Sequence, residues 1–192
     1  MTPIPFWKDV FRSAMAILVW QIALAVRRRF RLWILVVAML LVGGGVQAQS
    51  TAFDRLTPAL PTANERKAAD IASWVTAGVA IGLDFKESWK GGKEERLAFV
   101  AKVGTVYAIT FLIKEIAHRK RPCSPECGVD RSDSSFPSGH TAIAFSTMGG
   151  PRMAISVPLA VSTGGLRIAA GKHWLTDTLV GAGVGLLASR IR

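Results

Sequence analysis

The chain has 192 residues, half of them apolar, with 24 Lys and Arg against 13 Asp and Glu for a formal charge of +11. Only 19% of it is charged, too apolar for a basic nucleic-acid-binding domain, and its positive mean hydropathy fits a membrane protein with basic cytoplasmic loops. Two Cys build neither a disulfide framework nor a structural zinc site, and no P-loop or dinucleotide-binding glycine motif occurs, which sets nucleotide-driven chemistry aside.

Residues 1–48 read as a targeting region. Arg27, Arg28, Arg29 and Arg31 precede an apolar run from Leu32 to Val46, and Val46-Gln47-Ala48 is similar to a small-residue cleavage site. The run falls between a signal-peptide core and the ~20 residues of a span, so a cleaved signal and a permanent anchor both stay open. A second apolar run, Ala14 to Val26, lies ahead of the basic cluster. Residues 49–192 form the expected second unit.

After a polar stretch from Ser50 to Lys67, apolar segments recur at Ala69 to Leu83, Ala98 to Ile113, Thr141 to Met148, Met153 to Leu166 and Thr178 to Ala188. All five read as helices, giving an all-α helical bundle embedded in a membrane. Each run is shorter than the ~20 residues of a full span, so a compact bundle is the alternative to a polytopic one. Gly91-Gly92, Gly149-Gly150-Pro151 and Gly164-Gly165 mark turns or helix ends. With the N-terminal basic cluster inside, Lys86, Lys90, Lys93, Arg96, Arg152, Arg190 and Arg192 also fall inside. Segments 49–67, 114–140 and 167–177 then face out, and the last two hold the polar chemistry.

Three clusters carry that chemistry. Lys114, His118, Arg119, Lys120 and Arg121 gather at the end of an apolar helix, and alone they read as a headgroup-binding edge. Phe136-Pro137-Ser138-Gly139-His140 opens the next helix, whose free N–H groups and positive dipole end suit an anion; alone, it is an ordinary N-cap. Arg167 is followed by His173 and Asp177, four apart. On one helix face the carboxylate can take one imidazole N–H and leave the other nitrogen as a nucleophile, against the bland reading of a surface pair.

In order, Lys-x6-Arg-Pro, Pro-Ser-Gly-His and Arg-x5-His-x3-Asp resemble the signature of the type 2 phosphatidic acid phosphatase superfamily, over Lys114 to Asp177. That family is built on a helical bundle and includes membrane lipid phosphatases, bacterial acid phosphatases and vanadium haloperoxidases. The resemblance implies that Lys114, Arg121 and Arg167 bind phosphate oxygens with Ser138 and the Gly139 amide. It further implies that His173 is the nucleophile, that Asp177 orients it, and that His140 is the acid and base. Preorganised cations and N–H donors suit the charge on a transferring phosphoryl group, so neither metal nor cofactor is expected.

Two departures stand out: Leu166 replaces the family's usual Ser, and the stretch from His140 to Arg167 is short. The expected substrate is a phosphorylated lipid or small phosphate ester, handled on the periplasmic face of a bacterial inner membrane with the lipid bilayer as partner and no nucleic acid. The alternatives are a vanadium-dependent haloperoxidase and a non-catalytic headgroup binder. His118 reads as a surface residue. Cys123 and Cys127 either form a small disulfide in an outer loop or remain free thiols. The Trp at 7, 33, 74, 89 and 174 sit near segment ends, as interfacial anchors or as packing.

Overall fold

A computed structural model describes Asp54 and residues 61–124, 133–148 and 152–191. The expected targeting region, Cys127 and the Gly149-Gly150-Pro151 turn lie outside the described residues. All described residues belong to the compact unit Val46–Arg192. They form helices α1 (Ala63–Lys90), α2 (Lys93–Ala117), α3 (Gly139–Ser146), α4 (Met153–Ala169) and α5 (Leu175–Ala188), with no strand among them.

Each expected apolar segment falls on one of these helices, the third running past Ser146 into the turn that follows α3, and the first two helices outrun their apolar stretches. α1 has 28 residues and α2 has 25, both long and apolar enough to cross a membrane. Polar turns supply the extra length. Thr62 opens α1 with a capping box, its N–H donating to Glu65 Oε2 at 2.9 Å, and the Gly92 N–H donates to Glu95 Oε2 at 2.7 Å where α2 begins. α4 and α5, with 17 and 14 residues, stay shorter than a full span.

The short α3 lies at the centre and touches all four other helices, while α1 lies along α4. Small side chains allow this. The buried apolar positions include Ala77, Ala80, Ala142, Ala144, Ala160, Val106, Val184 and Ala188. Many buried hydroxyls bond back to their own helix, such as Thr110 to the Val106 carbonyl and Thr163 to the Leu159 carbonyl, both at 2.8 Å. The large apolar side chains instead point outward: Ile71, Trp74, Val75 and Val79 on α1, and Val100, Tyr107, Phe111, Leu112 and Ile116 on α2. Small inside and large outside is the pattern of helices packed in lipid, where burying Leu or Phe between helices gains nothing over leaving it in the tails. One charge pair crosses the α1–α2 hairpin, Lys102 Nζ to Asp84 Oδ2 at 2.5 Å.

α5 meets α3 almost backbone to backbone at two glycines. A Cβ on Gly185 would stand 2.3 Å from the Ala142 carbonyl oxygen, and one on Gly181 would stand 2.5 Å from that of Ser138, whereas one on Gly183 would meet nothing within 4 Å. We expect Gly185→Ala to destabilise the bundle by about 1–3 kcal/mol, the range for overpacking a fitted core. Gly183→Ala, on the same helix, should be neutral or stabilising by up to about 1 kcal/mol through helix propensity. Thermal unfolding in detergent compares the two; equal midpoints would show that the close approach is not tight.

Candidate active site

The polar residues gather at one end of the bundle, where α1 begins, α2 ends, α3 and α5 begin and α4 ends. Arg167, in the last turn of α4, is 4% exposed and donates to the Asp70 carboxylate of α1 and to Ser73 Oγ at 3.3 Å. Lys114, in the last turn of α2, donates to the Ser134 carbonyl at 2.7 Å. Arg121 reaches the Lys172 carbonyl at 3.4 Å and Ser134 Oγ at 3.3 Å. The Nε–H groups of Arg121 and Arg167 are buried without a hydrogen-bond partner among the described residues. Buried donors left unpaired are costly unless a ligand takes them, which is what an anion site requires.

At the start of α3, Ser138 differs from its expected role. It is fully buried, it shares a 2.8 Å hydrogen bond with Thr141 Oγ1, and its N–H donates to the Asp177 carbonyl at 3.0 Å. Ser138 caps the helix, so the open backbone donors are the amides of Gly139 and His140. His140 itself is partly buried. Its Nε2 has no hydrogen-bond partner among the described residues, and its ring lies edge-on to Trp74, centroids 4.0 Å apart. Burial first, then Arg167, lowers its pKa to about 4; Lys114 and Arg121 add to this, while Asp70 opposes it.

His173 also departs from expectation. It lies in the loop before α5 rather than on the helix, and it is 2% exposed, which removes the surface-pair reading. Its Nδ1–H donates to the Ser135 carbonyl at 2.6 Å, while the nearest Asp177 oxygen is 3.6 Å from Nδ1. A carbonyl can only accept, so this contact places the proton on Nδ1 and leaves the lone pair on Nε2. Burial lowers the His173 pKa to about 3 against the pull of Asp177.

Asp177 works through its neighbours. Fully buried in the first turn of α5, it accepts from Ser135 Oγ, from the Trp174 N–H at 2.8 Å and from Arg119 at 2.6 Å. Burial alone would raise its pKa; the neighbouring His173, Arg119 and Ser135 together hold it below the ordinary carboxylate value. Arg119 also donates to the Asp54 carboxylate and to Thr176 Oγ1, so one guanidinium holds two buried carboxylates. Cys123 is disulfide-bonded, and its N–H donates to the Gly171 carbonyl at 3.1 Å. His118 stays exposed against Asp133.

The structure therefore gathers Lys114, Arg121, Gly139, His140, Arg167, His173 and Asp177 at one site. Sequence reasoning did not assign Asp70, Arg119, Ser135 or Trp74 to it. Asp70 carried a signal, an ionisable residue in an apolar helix. Ser135 carried none, because it acts through its main-chain carbonyl.

A model of the PAP2 superfamily matches residues 96–191, half of the chain. The chain belongs to the PAP2 superfamily. Its fold is similar to the crystal structure of Aquifex aeolicus LpxE, with a TM-score of 0.55 at 20% identity over 74% of this chain and 96% of that one. Comparison with curated proteins gives no match. Membership in the PAP2 superfamily supports a phosphatase, and α1, which supplies Asp70, Ser73 and Trp74, precedes the matched residues.

Two outcomes follow from this geometry. Arg119→Met strands two buried carboxylates, which should cost about 3–5 kcal/mol, the range for breaking one side of a buried ion pair; denaturant unfolding in detergent that gave less than about 1 kcal/mol would remove Arg119 from this role. The histidines set a pH dependence. Their folded pKa values lie below the unfolded value near 6.5, so unfolded chains bind more protons and stability falls as pH drops. Between pH 7.5 and 5 each should withdraw about 2 kcal/mol, and His173→Gln should flatten the melting-temperature curve over that interval. An unchanged slope would contradict a neutral buried His173.

Proposed function

We propose that the chain is a metal-independent phosphatase acting on phosphate monoesters or pyrophosphates of lipids through a phosphohistidine at His173. The observation that carries this reading is the 2.6 Å contact from His173 Nδ1–H to the Ser135 carbonyl, which leaves Nε2 unprotonated in a buried, cation-rich site. A headgroup binder has no use for such an arrangement. Lys114, Arg121, Arg167 and the amides at the start of α3 take the phosphoryl oxygens, supplying the positive charge that a metal supplies elsewhere.

In the first step Nε2 of His173 bonds to phosphorus, the bond to the leaving oxygen breaks, and protonated His140 gives that oxygen its proton. In the free site burial, reinforced by Arg167, Lys114 and Arg121, holds His140 neutral. A bound phosphate offsets them and favours the protonated acid. In the second step His140 takes a proton from water, the hydroxide attacks phosphorus, and the phosphorus–nitrogen bond breaks. Asp177 positions His173 indirectly by holding Ser135 and the Trp174 amide.

Residues 49–192 are the catalytic domain in this reading, and 1–48 a signal or anchor. Lys86, Lys90, Lys93 and Arg96 gather at the α1–α2 turn, at the far end of the hairpin from the site. By the charge rule that end is cytoplasmic, which turns the site to the periplasm of a bacterial inner membrane.

The test uses a labelled, activated aryl phosphate in the presence of EDTA, with an alkaline denaturing quench to count acid-labile, base-stable label on the protein. Wild type turns over without added metal. His173→Ala shows neither turnover nor label, whereas His140→Ala loses roughly 10²–10⁴-fold in turnover and accumulates label because hydrolysis lacks its base. Label on His173→Ala would assign the nucleophile elsewhere, and halide oxidation with added vanadate would favour a haloperoxidase.

A further inference from the structure

Trp74 is an unusual lining for a phosphate site. It is 61% exposed although its ring lies 4.0 Å, centroid to centroid and 83° between planes, from that of His140. It is fixed there by its own helix, because Asp70 and Ser73, within the preceding turn, both accept from Arg167. The indole therefore stands beside the cation cradle with one side on the acid and the rest uncovered. Ile71 and Val75, each 58% exposed, and Val79 continue the same outward side of α1, and no charged residue interrupts them.

On the proposed mechanism, on which this inference rests, His140 protonates the leaving oxygen, so whatever that oxygen carries must emerge past the His140 ring. A polar leaving group would find at most the single indole N–H among the flanking Ile and Val side chains. An alkyl chain would find a flat apolar surface that begins at the reacting end and runs on along α1. We propose that Trp74 is a specificity-determining residue that receives the first methylenes of an alkyl leaving group as it passes from His140 to the outer face of α1. The substrate class is then a phosphate whose leaving oxygen carries an aliphatic chain.

Monoalkyl phosphates that differ only in chain length provide the test, assayed with the full chain in detergent below the micelle limit of each ester. Two or three methylenes held by the ring, at about 0.8 kcal/mol each, correspond to roughly tenfold to fiftyfold. The ratio of kcat/KM for dodecyl over methyl phosphate should fall by that factor in Trp74→Ala and be largely restored in Trp74→Phe. An unchanged ratio, whatever the loss in absolute rate, overturns the proposal, because Trp74 would then merely pack against His140. A dodecyl phosphonate brominated near its head gives a second readout independent of turnover. It should quench tryptophan fluorescence in wild type, and the quenched component should be missing from folded Trp74→Phe; equal quenching in both overturns the proposal. Wild type that hydrolyses neither these esters nor the activated aryl phosphate would defeat the phosphatase reading, while the quenching still decides the role of Trp74.

Discussion

The Asp177 carboxylate ties the polar end of the bundle together. It accepts from Arg119 beyond α2, from Ser135 before α3 and from the Trp174 amide at the head of α5, while its own main-chain carbonyl accepts from Ser138 at the head of α3. Three separate stretches of chain converge on one residue that water does not reach. A buried carboxylate is tolerable only when its oxygens are saturated, so each of these stretches is obliged to be where it is. Their placement leaves the Ser135 carbonyl beside His173. The tautomer of the imidazole is thus a by-product of satisfying an acid that does not itself bond to it.

Much of the site was legible in the sequence because its groups have fixed chemical types at fixed spacings: the cations, the helix opening at Pro137, and the His173 and Asp177 pair. What spacing could not convey was connectivity. Four residues apart suggested a direct contact on one helix, but α5 begins only at Leu175, and the imidazole turns to a main-chain oxygen from a distant stretch. Arg119 was hidden among its cationic neighbours, since composition does not distinguish a guanidinium that faces substrate from one that clamps carboxylates. The helices themselves were readable as apolar runs. Their lengths were not, because the capping turns that extend α1 and α2 are polar and look like loop.

The interior of small and hydroxylated side chains and the outward large ones follow from the same requirement. A central helix of only 8 residues can touch four neighbours only if their backbones come close, which demands Gly, Ala, Ser and Thr at the contacts. Many of these serines and threonines then bond to their own helix carbonyls, which satisfies their hydroxyls. The close contacts run from Ser138 to Ser146 along α3 and so hold the direction of the Gly139 and His140 amides at its start.

The Lys102 and Asp84 pair bears on how the chain is made. In a bilayer a lone lysine or aspartate near the middle of a helix costs about 2.5–3.5 kcal/mol on insertion scales. Lys102 lies inside α2 and Asp84 toward the end of α1, so either helix entering a bilayer by itself would carry part of that penalty, which the pairing between them offsets. The two-residue turn at Gly91 and Gly92 makes them neighbours from the moment of synthesis. Insertion as a joined hairpin is therefore favoured over one helix after the other, and sliding either helix along its partner would separate the charges within hydrocarbon. The pair thus holds α1 and α2 in the register that brings Asp70 and Lys114 to the same end of the bundle.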